Sequence, residues 1–208
     1  MGLDWDPMPR AKPGHEREVA EIVMAFRRTQ DKAGFARFSE ITELAFETLG
    51  APRVGIDDAA DAWLRTKVAP ENFDEERAKM RGYYVLALLP ECDGFPMYSN
   101  HEVSHELDRY SFRAQFLRDV EDELGPELFE RAYVHLTVDE HVAYAAALLD
   151  TARKFAREHG VEHVDHVDRK QAKTFDEGSD ELRAQILFAT ARWCAYWSSR
   201  GHGLSPWF

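Results

Sequence analysis

The residues best suited to binding chemistry are concentrated in the stretch from position 90 to position 105. Turn-forming, aromatic and hydrogen-bonding residues are mixed there, and such a mixture is typical of the lining of ligand pockets. We therefore expect this stretch to be a loop through which the protein binds a small molecule or a partner protein. The predicted ligand-binding residues are Cys92, Asp93, Tyr98 and Asn100.

The same stretch ends in His101-Glu102-Val103-Ser104-His105, in which two imidazoles are four residues apart. On a helix this spacing places both side chains on one side, one turn apart. The five residues resemble the signature of zinc metalloproteases. The resemblance implies that His101 and His105 are zinc ligands and that Glu102 is the catalytic base, so the alternative function is that of a zinc-dependent hydrolase.

The residues around this motif favour a competing interpretation without metal. Pro96 and Asn100 place His101 at the start of a helix, and Glu106 stands where the protease pattern has an uncharged residue. On a helical wheel, both imidazoles lie opposite the apolar stripe that begins at Val103. The sequence supplies no identifiable third ligand, so a hydrogen-bonded pair of surface histidines is the other interpretation.

A second histidine-rich patch contains His159, His163 and His166, interleaved with acidic residues. Three histidines this close together can take up a divalent ion, but such a run is more often a charged surface loop. We interpret it as surface. These motifs leave open whether the protein is an enzyme, and they suggest no cofactor other than zinc.

The charge of the chain argues against two classes of partner. The net charge is -12, and the 26 basic residues are scattered rather than gathered into a stripe. Phosphate backbones and anionic membrane surfaces are repelled by such a protein. The longest apolar run, over residues 142–149, is eight residues, whereas roughly 20 are needed to span a bilayer. We expect neither nucleic acid nor membrane as a partner.

The cellular location is predicted from the first residues and from the cysteines. No charged segment followed by an apolar segment begins the chain, so an export signal is not expected. Two cysteines, Cys92 and Cys194, are too few for a disulfide framework and are expected to be reduced. The prediction is a cytoplasmic protein.

The predicted fold is mainly α: a single-domain multi-helix bundle over residues 15–208, preceded by an extended arm over residues 1–14. One short buried strand pair near residues 83–89 is a further option, since that run is bulky and lies between Gly82 and Pro90. A structural or oligomer-forming protein is the third functional alternative. It is suggested by the aromatic tail, because Trp207 and Phe208 should dock on the body or on a partner.

Helix signals recur along the chain. An apolar stripe predicts a helix over residues 15–33, and another predicts a continuous helix over residues 103–124. Thr137 and Glu140 form a capping-box pattern for a buried helix that ends at Gly160. A last helix, apolar on nearly all sides, is expected in the middle of the fold. Further predicted N-caps are Ser39, Asp57 and Asn72, and either Ser179 or Asp180 is predicted to cap the last helix.

Overall fold

The computed structural model describes residues 2–89, 111–167 and 174–208, apart from the side chains at positions 46 and 86. These residues are mainly α-helical, which confirms the predicted fold class. The helices are α1 (Glu16–Thr29), α2 (Phe35–Ile41), α3 (Ala45–Leu49), α4 (Asp58–Arg65), α5 (Phe73–Lys79), α6 (Glu121–Arg131), α7 (Val138–His159) and α8 (Asp180–Ser198). Short 3-10 segments span Pro70–Asn72, Leu86–Leu88, Ala114–Val120 and Glu162–His166. The strands are β1 (Asp4–Pro7), β2 (Arg10–Ala11), β3 (Thr42–Glu43) and β4 (Leu204–Trp207).

Helices α7 and α8 pack against each other and form the centre of the main hydrophobic core. The predicted capping box begins α7, where the Glu140 carboxylate accepts a hydrogen bond from the Thr137 backbone N–H at 2.9 Å. Helix α8 is buried on most of its sides, as its composition predicts, and Ser179 caps it. No helix in the described parts of the chain combines the length and the apolar character that crossing a bilayer requires.

An antiparallel ribbon of β1 and β4 joins the first residues of the chain to the last. Trp5 fastens this ribbon to the core, because its side chain is fully buried. Its indole N–H donates a hydrogen bond to the Ala132 carbonyl at 2.8 Å, and its ring stacks on Phe112 with centroids 5.5 Å apart. Strands β2 and β3 form a second, shorter antiparallel pair.

The continuous helix predicted over residues 103–124 is wrong where the chain is described. Phe112 forms an isolated antiparallel bridge with Trp5, a 3-10 segment follows, and α6 begins only at Glu121. The apolar residues of the 3-10 segment recur every three positions, which matches its three residues per turn. The orientation predicted for the two motif histidines depended on one helix that continues through residue 124, and the chain does not form that helix over residues 111–120. The buried residues of the 3-10 segment are Ala114, Leu117 and Val120.

Helices α1 and α2 depart from the predictions at their ends. Helix α1 ends at Thr29 because Gln30 takes a left-handed conformation with φ 57°, so the helix does not extend to residue 33. Ser39 lies inside α2 rather than at an N-cap, and its hydroxyl donates to the Phe35 carbonyl at 3.0 Å. The two helices therefore meet at a tight connection over residues 30–34.

A second, smaller hydrophobic cluster lies among α4, α5 and the residues that flank them. The strand pair predicted near residues 83–89 is reduced here to one bridge between Arg53 and Tyr84, followed by a 3-10 turn. Pro52 accepts a hydrogen bond from the Val85 N–H at 2.7 Å. It has no N–H to donate, so the ladder ends there. The buried members of this cluster are Val54, Ala60, Leu64, Met80 and Val85.

Candidate functional site

A cavity of about 410 Å³ lies between α1, α2 and the C-terminal strand β4. Helix α1 supplies one wall because its apolar stripe is wider than its contact with the core. Val19 and Val23 are buried, while the partly buried Ile22 and Phe26 line the cavity. The tight connection between α1 and α2 then places α2 beside α1, so that Phe35, Phe38 and Ser39 also line the cavity.

Aromatic side chains make up much of the cavity wall. Phe26 and Phe35 pack with ring centroids 5.0 Å apart, and Phe208 contacts Tyr133 outside the cavity at 5.7 Å. The ring edges and faces form a surface suited to flat or extended apolar molecules. The aromatic lining residues are Phe26, Phe35, Phe38, Trp207 and Phe208, and the other apolar ones are Met8, Pro9, Ile22, Val23 and Pro206.

Three of these aromatic side chains are exposed to solvent around the opening. Phe35 is 42% exposed, Trp207 is 62% exposed and Phe208 is 69% exposed. The described body of the chain therefore leaves most of the last two rings uncovered, although Phe208 keeps its edge contact with Tyr133. Docking of these rings on a partner stays a prediction. Contiguous exposed aromatic surface of this kind usually marks a binding site.

Strand geometry places two polar groups side by side on the wall. Leu136 and Leu204 form an isolated antiparallel bridge, so His135 stands directly opposite Ser205. The Ser205 hydroxyl and the His135 Nδ1 are 3.2 Å apart. Alternation along β4 turns Leu204 toward the core and Ser205 away from it. The remaining polar lining residues are Lys32 and Ser39.

The imidazole of His135 is uncharged at neutral pH. Burial lowers its pKa, and the positive charge of the nearby Arg27 lowers the pKa further. Arg27 is held in place by Glu140, because its Nη1 lies 2.7 Å from each carboxylate oxygen. The cavity wall therefore carries a neutral ring beside a fixed cation.

This electrostatic arrangement does not match that of a catalytic serine and histidine pair. In such a pair, a carboxylate orients the histidine and stabilises the imidazolium formed when the serine loses its proton. At His135 the charged group that acts on the ring is the guanidinium of Arg27, which disfavours the imidazolium. The pair is suited to hydrogen bonding with a bound molecule rather than to proton abstraction from Ser205.

Two other histidines are buried inside the fold and serve its packing. The Nδ1 of His202 is 2.8 Å from the Met8 carbonyl, and its Nε2 is 2.8 Å from the Thr48 hydroxyl. The Nδ1 of His141 lies 2.9 Å from the backbone carbonyl of His202. Burial lowers the pKa of each imidazole to about 4. These contacts connect α3, α7 and both ends of the chain.

The histidine-rich patch predicted to be surface forms no metal cluster in the described residues. His159 bonds to Asp180, with its Nδ1 2.8 Å from the carboxylate, and stacks on Phe155 with centroids 4.2 Å apart. His163 and His166 lie in a 3-10 segment. Within residues 2–89, 111–167 and 174–208, no group of three or more histidine, cysteine or acidic side chains could hold a metal ion.

The structure does not test the site residues that were predicted from the sequence. They are Cys92, Asp93, Tyr98, Asn100, His101, Glu102 and His105, and all of them lie outside the described residues. Sequence reasoning missed the cavity because its walls come from four separate segments of the chain. One signal was available: α1 and the connection after it carry more apolar and aromatic residues than one buried stripe needs.

The chain was compared with known proteins at three levels. It matches no family model, no curated protein and no solved structure. The assignment of function therefore depends on the geometry and chemistry of the cavity.

Proposed function

We propose that the protein binds a small, mainly apolar molecule in the cavity between α1, α2 and β4. The observation that carries this proposal is a space of about 410 Å³ with five aromatic residues in its wall. Cavities of roughly 300 to 1,000 Å³ with apolar walls and a few placed polar groups are typical of ligand sites. This is the small-molecule function predicted from the sequence, with a different set of binding residues.

A ligand in this cavity would remove apolar surface from water on both sides of the contact. The exposed rings of Phe35, Trp207 and Phe208 would then be covered, at a gain of about 25 cal/mol for each Å² of apolar surface buried. The backbone of Trp207 is already fixed, because Trp207 pairs with Asp4 in the ribbon of β1 and β4. Fixing the backbone in advance lowers the entropy lost when a ligand binds.

The polar groups of the cavity support recognition without catalysis. His135 and Ser205 can each exchange a hydrogen bond with a ligand, whereas Arg27 opposes the charge that a general base would acquire. We therefore propose reversible binding rather than turnover at this site.

The test is a titration with N-phenyl-1-naphthylamine, an uncharged aromatic amine that fluoresces in apolar surroundings. We expect saturable binding of one molecule per chain. The variant Ser39→Trp should block it, because position 39 lies on exposed α2 surface and lines the cavity. The matched control is Glu40→Trp, one residue further along the same helix and not part of the lining. Binding that is absent, or equally affected by both variants, would contradict the proposal.

The exposed aromatic rim also supports a second proposal, association of two copies of the chain. Trp207 and Phe208 are the most exposed large apolar side chains in the described residues. Light scattering should detect a dimer that the variant Trp207→Ser converts to a monomer. A wild-type monomer at all concentrations would exclude this second function and leave ligand binding unaffected.

The zinc alternative remains a proposal, supported by the spacing of the motif at residues 101–105 alone. Metal analysis of protein purified without a histidine tag tests it. Bound zinc that is lost in His101→Ala and retained in Glu102→Gln would support a metal site. Protein free of zinc would remove this alternative.

A further inference from the structure

We infer that the cavity selects amphipathic carboxylates: small molecules with an aryl group or a medium-length acyl chain and one anionic end. This inference rests on the proposed function of the cavity and specifies the class of ligand. It is drawn from the charges of the lining residues, from the donors they offer and from the size of the space.

The lining of the cavity differs in charge from the chain as a whole. The chain contains 38 acidic residues among 208, yet the 14 described residues that line the cavity include no Asp or Glu. Lys32 is the one permanently charged side chain among them. A ligand carboxylate therefore meets no acidic side chain of these residues and finds one ammonium group at the exposed connection between α1 and α2.

Arg27 is a second cation that acts on this wall, although it is not one of the lining residues. Arg27 influences the imidazole of His135 strongly enough to lower its pKa together with burial. Glu140 fixes this guanidinium at 2.7 Å without lying on the cavity surface. The part of the Arg27 charge that Glu140 does not cancel disfavours an imidazolium at position 135 and favours an anion in the space beside it.

His135 also supplies a donor that an anion can use. When the Ser205 hydroxyl donates to Nδ1 across their 3.2 Å contact, the hydrogen of the neutral ring is on Nε2. A carboxylate in the cavity selects this tautomer, because a carboxylate only accepts hydrogen bonds. An alcohol makes no such demand, because its hydroxyl can donate as well as accept.

The apolar part of the ligand is defined by the rest of the wall. Ten of the lining residues are aromatic, aliphatic, proline or methionine. Each methylene that enters such a space should tighten binding about fourfold until the cavity is full. Octanoate should therefore bind more than tenfold more tightly than hexanoate.

The experiment measures displacement of N-phenyl-1-naphthylamine by octanoate and by 1-heptanol, which share one heptyl chain. At low salt, octanoate should bind about three to five times more tightly than heptanol, as expected for one partly exposed ion pair. The variant Lys32→Met should bring the ratio of the two affinities close to one. The control Lys154→Met removes the same charge from α7, where Lys154 is 71% exposed and outside the lining.

The outcomes separate the two proposals. Equal displacement by octanoate and heptanol, or equal effects of Lys32→Met and Lys154→Met, would overturn the carboxylate inference while the fluorescent probe still binds. Failure of the probe itself to bind would overturn the proposed function and the inference together. A preference for octanoate that weakens with added salt supports the inference, because a rim ion pair is screened.

Discussion

Burial lowers the pKa of the two interior histidines and of the cavity histidine, but the interior pair stabilises the fold whereas the other lines the cavity. His141 and His202 are fully buried, and each bonds to a backbone carbonyl. His135 is only partly buried, bonds to a side-chain hydroxyl and lines an open space. Burial is the largest cause of a lowered pKa at all three residues.

The comparison shows that a shifted pKa does not by itself identify a functional site in this protein. Among these three histidines, the two large pKa shifts belong to the imidazoles that hold structural elements together. The smaller shift belongs to the imidazole that a ligand can reach. Accessibility and the type of hydrogen-bond partner distinguish the two regions, and the predictions below test that distinction.

The largest effect is expected from acid. A folded-state pKa of about 4 for His141 and His202 lies below the ordinary value of about 6.5. The unfolded chain therefore binds more protons, and the free energy of unfolding falls as the pH decreases from about 6.5 to about 4. Each of the two imidazoles should lower the free energy of unfolding by as much as about 3 kcal/mol across this pH range, at 1.36 kcal/mol per pKa unit.

Urea denaturation at several pH values across this window measures the effect. Arg10 and Arg200 also lower the pKa of His202, whereas Glu43 raises it, so their charges act on the same titration. A free energy of unfolding that stays constant from pH 7 to pH 5 would contradict the buried, neutral state of the two rings.

The next largest effect is expected from His202→Ala. This change leaves the Met8 carbonyl without its His202 partner, removes one of the two hydrogen bonds of the Thr48 hydroxyl and opens a cavity in the core. The expected loss is about 3 kcal/mol of unfolding free energy. His135→Ala is the matched comparison and should cost less than about 1 kcal/mol. Similar losses for the two variants would break the distinction between structural and accessible histidines.

A moderate effect on binding is expected from Phe38→Ala. Phe38 lines the cavity, so its removal takes away apolar contact with the bound molecule. The dissociation constant for N-phenyl-1-naphthylamine should rise about tenfold. Tyr83→Ala is the control, since Tyr83 is 47% exposed and lies near the second hydrophobic cluster. A comparable loss in the control would show that the probe binds elsewhere.

The smallest effect is expected from Ser205→Ala. The variant removes one partly buried hydrogen bond to His135 and leaves the β1 and β4 backbone pairing intact. Unfolding free energy should fall by about 1 kcal/mol or less. Chemical denaturation of Ser205→Ala and His202→Ala measures the two losses of unfolding free energy. A loss as large for Ser205→Ala as for His202→Ala would mean that the cavity wall is part of the structural core.

Local signals in the sequence predicted the helices that begin with clear caps. Thr137 with Glu140 and the residue Gly160 define α7, and Ser179 defines the start of α8. A cap depends on backbone groups within a few residues, so the sequence contains all the information that it needs. The burial of α8 was also predictable, because apolar residues occupy nearly all of its sides.

Features that depend on distant partners were not predictable in this way. The bridge of Phe112 to Trp5 replaces a helix that the local spacing favoured, because the partner strand lies more than 100 residues earlier. The cavity depends on the same kind of long-range arrangement, since His135 meets Ser205 only through the bridge of their neighbours. The periodicity of apolar residues within one segment cannot predict a contact between side chains of two distant segments.

The pairing of β1 with β4 has a consequence for how the chain acquires its structure. Trp5 is made early, but the strand opposite it includes residues 204–207. During synthesis the ribbon cannot close until those residues have left the ribosome. Because Asp4 faces Trp207, a short glycine linker should connect the two ends, and new termini opened in an exposed loop should give a circular permutant that folds.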